Sequence, residues 1–229
     1  MPQRSTSLSW SVPWLLGLFL LLPGCAKRYV PHLVLSTSAE TIDATVEFHS
    51  LQVVRSIRSG HESFGVVGEK VTPSSPRELT GEVTAALMRE METNQVFRRL
   101  TTFDPKPDLV LSGRIDKFYE HYRPKWWSLV PRVSAFAWLF RLNTYISSGG
   151  VDLRMVLLKA TGEVVGEYRG HTTFHEDFGP TTEMPPGERL NQAFSQAVQQ
   201  ILDELFADPR LPKVGTASLV CNSGKSVEG

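Results

Sequence analysis

Residues 151–174 read VDLRMVLLK, ATGE and VVGEYRGHTTF in succession, and the fold is decided there. Val151 to Lys159 and Val164 to Phe174 carry the β-branched and large apolar residues that suit a pleated, half-buried surface. Between them Ala160-Thr161-Gly162-Glu163 has the length of a hairpin connection, with Gly162 free to take the positive φ such a turn needs. The stretch predicts two antiparallel strands. Downstream, Pro185-Pro186 introduces a helix with the apolar stripe Leu190, Ala193, Phe194, Ala197, Val198, Ile201, Leu202 and Leu205, ended by Asp208-Pro209. A hairpin followed by a strongly amphipathic helix implies a sheet with a face to cover.

Upstream, Leu109 to Tyr122 follows the turn Asp104–Asp108. Leu109, Leu111, Gly113 and Ile115 alternate with polar or smaller residues, as in a strand with one buried face. Ser75-Pro76-Arg77-Glu78 opens a first helix with a cap, a proline at the first helical position and an acid three residues after the cap. Its stripe is Leu79, Val83, Leu87 and Met91, and Asn94 ends it. Val96 to Leu100 reads as a short connection. Val46, Phe48, Leu51, Val53 and Ile57 predict a strand broken near Ser50, and Phe64 to Val71 a partner strand. Residues 26–42 read as a tether with a first strand around Leu33–Leu35, and residues 208–229 as a disordered tail. The expected fold is α+β: a two-layer sandwich over 43–207, its mostly antiparallel sheet covered by two amphipathic helices.

The chain of 229 residues carries 24 Lys+Arg and 24 Asp+Glu, without the basic excess of a nucleic-acid binder. Apolar residues at 41% indicate a globular chain. Its cysteines, Cys25 and Cys221, are too few for a disulfide framework or a four-thiolate zinc site.

Residues 1–24 have the form of a secretory signal peptide: Arg4, then an apolar run from Trp14 to Leu22 that is too short to span a bilayer. The run ends in Leu22-Pro23-Gly24-Cys25, which resembles the bacterial lipobox. That resemblance implies cleavage before Cys25, thioether attachment of diacylglycerol to its thiol and acylation of the new amino group, palmitate being a typical chain. Three chains would hold the protein on a membrane permanently, whereas one is marginal. Ala26, in place of an acid, favours the outer membrane with the domain facing the periplasm. A plain secretory signal, or an uncleaved anchor, is the alternative.

Residues 124–142, PKWWSLVPRVSAFAWLFRL, interrupt the strand pattern and hold three of the five tryptophans. Trp126, Trp127, Phe136, Trp138 and Phe140 beside Lys125, Arg132 and Arg141 give the composition of a membrane interface. Either they fill a satellite core beneath a long insertion, or they form an exposed patch that docks on a membrane or a partner protein. Membrane-inserted strands of an oligomeric pore are a third reading, with poor alternation against it.

The chain has six histidines. His171 and His175 are four apart, but Thr172, Thr173 and Phe174 favour a strand, which separates them by ~13 Å. No HExxH, GxSxG, P-loop or GxGxxG pattern occurs. His121, between Tyr119, Glu120 and Tyr122, could titrate, and a surface strand end explains it equally well. No cofactor or metal ligand set is expected, and no nucleophile, base and orienter assemble.

The order of lipobox, sheet, Pro-capped helix, Asp108-to-Ile115 strand, Thr161-Gly162-Glu163 hairpin and closing helix resembles small bacterial lipoproteins of cell-envelope assembly and transport. Among these are the auxiliary lipoproteins of ABC-type lipid transporters and the lipopolysaccharide-assembly lipoprotein. The resemblance implies a non-enzymatic accessory or scaffold that works through protein–protein contacts with an envelope partner. A lipid-binding carrier or chaperone, sheltering acyl chains near Leu87, Phe194 and Ile201, is the alternative. An envelope hydrolase using His171 or His175 is the third.

Overall fold

A computed structural model describes residues 27–36, 40–53, 65–67, 71–72, 75–179, 185 and 187–215. The signal peptide, Cys25, Cys221, Pro186 and residues 216–229 lie outside the described residues. In chain order the strands are β1 (Lys27–Arg28), β2 (Glu40–Phe48), β3 (Gln52–Val53), β4 (Gly65–Val67) and β5 (Val71–Thr72), then β6 (Phe97–Thr101), β7 (Leu109–Pro124), β8 (Tyr145–Lys159), β9 (Val164–Phe178) and β10 (Lys213–Gly215). Helix α1 (Pro76–Thr93) precedes β6, α2 (Pro131–Leu139) lies between β7 and β8, and α3 (Glu188–Ala207) follows β9. The protein is α+β, with an open, mostly antiparallel sheet.

The predicted hairpin is the spine of that sheet. Strands β8 and β9 pair antiparallel from Leu158↔Val164 to Tyr145↔Phe178, with Gly162 at φ 88° in their turn. On its other edge β8 pairs antiparallel with β7, from Leu109↔Lys159 to Pro124↔Tyr145. The far edge of β7 departs from the expected pattern. There β2, β3 and β4 follow one another, all parallel to β7. Parallel neighbours need a crossover, and α1 lies within the connection from this edge to β7. Val96 to Leu100, expected to be a connection, falls largely within β6, which pairs parallel with β2. Among the described residues the main sheet has eight strands, while β1 and β5 pair separately.

Helix α1 has the expected capping box: Ser75 Oγ accepts from the Glu78 N–H, and the Glu78 carboxylate accepts from the Ser75 N–H. Leu79, Val83, Leu87 and Met91 are buried, as is the whole predicted stripe of α3. Both helices join the inward residues of the strands in one apolar cluster. Each fully buried Leu, Ile or Phe contributes about 1.5–3 kcal/mol. Gly170 of β9 lets α3 come close, because a Cβ there would land on the carbonyl of Ala197.

Both ends of the domain correct the sequence expectation. Residues 29–36 form neither a free tether nor a sheet strand; they run extended along α3, with Tyr29, Leu33 and Leu35 buried. The first long strand begins at Glu40, not beyond 43. At the other end residues 208–215 are built in: Asp208 and Leu211 are buried, and β10 pairs antiparallel with β2. Short segments that borrow a partner from elsewhere carry little periodicity of their own.

Candidate functional site

The site is built from the far ends of β7, β8 and β9. A bulge between Ile115 and Lys117 sets its orientation. The extra residue, Asp116, turns out to pair with Arg154 (2.9 Å) and Arg114 (3.2 Å). It also flips the phase of the strand, so that Phe118 and Glu120 face inward. Glu120, expected beside His121 at a surface strand end, is buried. Its carboxylate accepts from Ser147 Oγ at 2.5 Å and from the Gly187 N–H at 2.9 Å. Gly187, at φ 94°, is the N-cap of α3, so a buried acid sits where the helix dipole favours negative charge. Burial nevertheless raises the Glu120 pKa, against those hydrogen bonds.

The same end receives the N-terminal segment. Tyr29 packs on Phe118, ring centroids 6.3 Å apart, and its hydroxyl donates to Asn191 Oδ1 at 2.7 Å. Further along, the His32, Val34 and Ser36 N–H groups donate to Asn191, Ser195 and Gln199 at 3.2, 3.0 and 3.1 Å. Two extended residues advance ~6.6 Å and one i to i+4 step of helix ~6 Å, so the strap and one stripe of α3 keep register. The strap runs parallel to α3, starting at the helix N-terminus.

Beyond Pro124 and Tyr145 the chain leaves the sheet as a cap. Lys125 N–H donates to Thr144 O at 2.8 Å, and Thr144 N–H to Phe178 O at 2.7 Å. Lys125 Nζ is 2.7 Å from Asp177 Oδ2. Tyr122 and Tyr145 stack at 5.1 Å, with Phe178 beside them and Arg189 over the Phe178 ring. Between Pro124 and Tyr145 the chain forms a 3-10 turn, Trp126–Leu129, and α2, the turn being tied back by Ser128 Oγ to Thr144 O at 3.2 Å. Ala137 of α2 is buried, and Arg141 at φ 52° follows the helix. The satellite-core reading fails for most of the aromatic side chains. Trp126 is 79% exposed, Phe136 61% and Phe140 66%, and Trp127 is half-buried. Among the described residues eight of the twelve exposed large apolar side chains lie between 126 and 142, so they form a patch rather than a scatter. The Trp138 side chain lies outside the description. Arg123, Arg132 and Arg141 are exposed and form no salt bridge among the described residues.

No family model matches the chain, and no curated protein matches it. Among solved structures it is similar to protein XCC0632 from Xanthomonas campestris, described by the family model DUF330, with 15% identity and a TM-score of 0.47 over 81% of this chain and 96% of that one. A second similar structure, described as an uncharacterized protein, has 10% identity and a TM-score of 0.40 over 78% and 94%.

The other sequence candidates do not gather around the cap. His171 and His175 lie on β9, both exposed, with His171 Nδ1 3.5 Å from Asp152 Oδ2. Asp152 is claimed by Arg169, which donates to both carboxylate oxygens at 3.0 and 2.6 Å. Among the described residues no three metal-binding side chains come together. Leu87, Phe194 and Ile201, expected to line an acyl site, are buried in the continuous core, with Phe194 edge-on to Phe118 at 5.3 Å. A cleft of about 420 Å³ lies elsewhere, lined by Ser36, Asn94, Val96, Leu202, Asp203 and Phe206 among others. No helix among the described residues is long and apolar enough to cross a membrane. The buried group of Tyr29, Glu120, Ser147 and Asn191 escaped the sequence reading. Its available signal was Asn191, an amide inside the apolar stripe of α3.

Proposed function

We propose that this chain is a non-enzymatic outer-membrane lipoprotein. Acyl chains on Cys25 anchor it, and its domain faces the periplasm as an accessory or scaffold in envelope assembly or transport. The carrying observation is the segment just beyond the lipobox. From Tyr29 onward it is hydrogen-bonded to α3 and contributes to the core, so an anchor on Cys25 holds the folded domain directly. Both helices belong to one core with the inward strand residues, which supports a two-layer arrangement. We assign Trp126, Trp127, Phe136, Trp138 and Phe140 to the contact with a membrane or a protein partner.

Metabolic labelling with palmitate, followed by density separation of the envelope, tests this reading. Label and protein should travel together in the outer-membrane fraction, and Cys25→Ala should lose both label and membrane association. Unlabelled wild-type protein in the soluble fraction would overturn it.

A further inference from the structure

We propose that the cap lies in the surface of the same bilayer that holds Cys25, seated on anionic phospholipid. This rests on the lipoprotein reading and adds the orientation of the domain.

Two independent observations carry this, and the first brings the cap and the anchor to one end. The strap runs parallel to α3, while β9 runs antiparallel to it: the Gly170 approach falls at Ala197 and the Glu176 carboxylate pairs with Arg189. Followed backward from Tyr29, the strap therefore heads past the N-terminus of α3 toward the cap end. Cys25 is four residues before Tyr29, a reach of at most ~14 Å. The second observation is charge. From His121 to Val151 the sequence holds no Asp or Glu, but it holds Arg123, Lys125, Arg132 and Arg141. The acid that answers Lys125 comes from β9. The other three, with no salt bridge among the described residues, present positive charge around exposed Trp126, Phe136 and Phe140. Aromatic rings among arginines suit the boundary between headgroups and acyl chains, and anionic headgroups attract the arginines. A soluble protein partner would need acids to match them, whereas an anionic bilayer supplies them everywhere.

The chain carries its own reporter. Cleavage before Cys25 removes Trp10 and Trp14, so every tryptophan left in the mature chain, Trp126, Trp127 and Trp138, is in the cap. The mature protein is extracted from membranes and reconstituted into phosphatidylethanolamine–phosphatidylglycerol vesicles, some lipid being brominated near the headgroup end of its acyl chains. Mass spectrometry of its N-terminal peptide reports acylation in the same sample. The expected result is acylated protein with blue-shifted tryptophan emission that brominated lipid quenches strongly. In Arg123→Glu/Arg132→Glu the quenching should fall while the far-UV circular dichroism stays the same. Acylated wild-type protein whose emission is water-like and unquenched would overturn the proposal and leave the cap to a protein partner. An N-terminal peptide without acyl mass would instead overturn the lipoprotein reading, and the shared bilayer with it.

Discussion

Asn191 Oδ1 accepts from the Tyr29 hydroxyl at 2.7 Å and from the His32 N–H at 3.2 Å, while Asn191 Nδ2 meets His32 Nδ1 at 2.8 Å. One buried amide of α3 thus fixes the strap at two points. Asn191→Ala leaves the buried Tyr29 hydroxyl without its acceptor, at an expected cost of about 2 kcal/mol in urea unfolding. Tyr29→Phe removes the donor instead and should cost about 1 kcal/mol. A variant pair in which the losses simply add would show that the two side chains are not coupled.

Glu120 gives a pH dependence of definite sign. Burial raises its folded pKa above the unfolded value, so the folded state binds more protons. Stability therefore falls as pH rises from about 4.3, the ordinary glutamate value, through the folded pKa, and is level above it. Glu120→Gln removes that slope, so its stability relative to wild type should improve with rising pH over this window. Parallel urea midpoints for the two proteins across the window would refute the assignment.

Asp208 has the opposite sign. Arg210 donates to it through Nη2 (2.6 Å) and Nε (2.9 Å), the Tyr168 hydroxyl donates at 2.7 Å, and together these hold its carboxyl well below the usual carboxylate range. Its stabilisation is complete above about pH 3.9, the unfolded aspartate value, and is lost as pH falls below that through the folded pKa. Asp208→Asn should cost about 1.5–3 kcal/mol at neutral pH, and the deficit should shrink in strong acid. A constant deficit over the whole acid range would contradict this account.

Two glycine substitutions should move stability in opposite directions. Gly170→Ala forces α3 away from β9, because the new Cβ meets backbone rather than a flexible side chain; a loss of about 3 kcal/mol or more is expected. Gly81 lies in the exposed interior of α1, with nothing within 4 Å of an added Cβ. Gly81→Ala should therefore stabilise the protein by about 0.5–1 kcal/mol. Thermal melts of the pair check both, and a tolerated alanine at 170 would mean that α3 can shift.

Elements whose signal is local were legible in the sequence. Ser75 and Glu78 announce α1, Gly162 announces the hairpin, and the eight apolar positions of α3 are all buried. Elements that take their meaning from a distant partner were not. β6 contains Arg98 and Arg99 and is a strand because β2 lies beside it. Tyr29, Leu33 and Leu35 do show a period of two, but the surface they cover is a helix. The bulge at Asp116 leaves no mark in composition, yet it buries Glu120 and sets where the β7–β8 pair points its cap. The cap itself was visible as a cluster of aromatic and basic residues, whereas its exposure is set by where the strand ends place it and carries no mark in the sequence.

The strap also has a mechanical meaning. Its bonds to Asn191, Ser195 and Gln199 lie in a row along α3. A pull at its N-terminal end along that row loads them together, in shear, so all must yield before the chain slides. A pull at right angles would open them one after another, beginning at Tyr29. A force arriving from the direction of Cys25 along the helix axis meets the stronger of these two geometries.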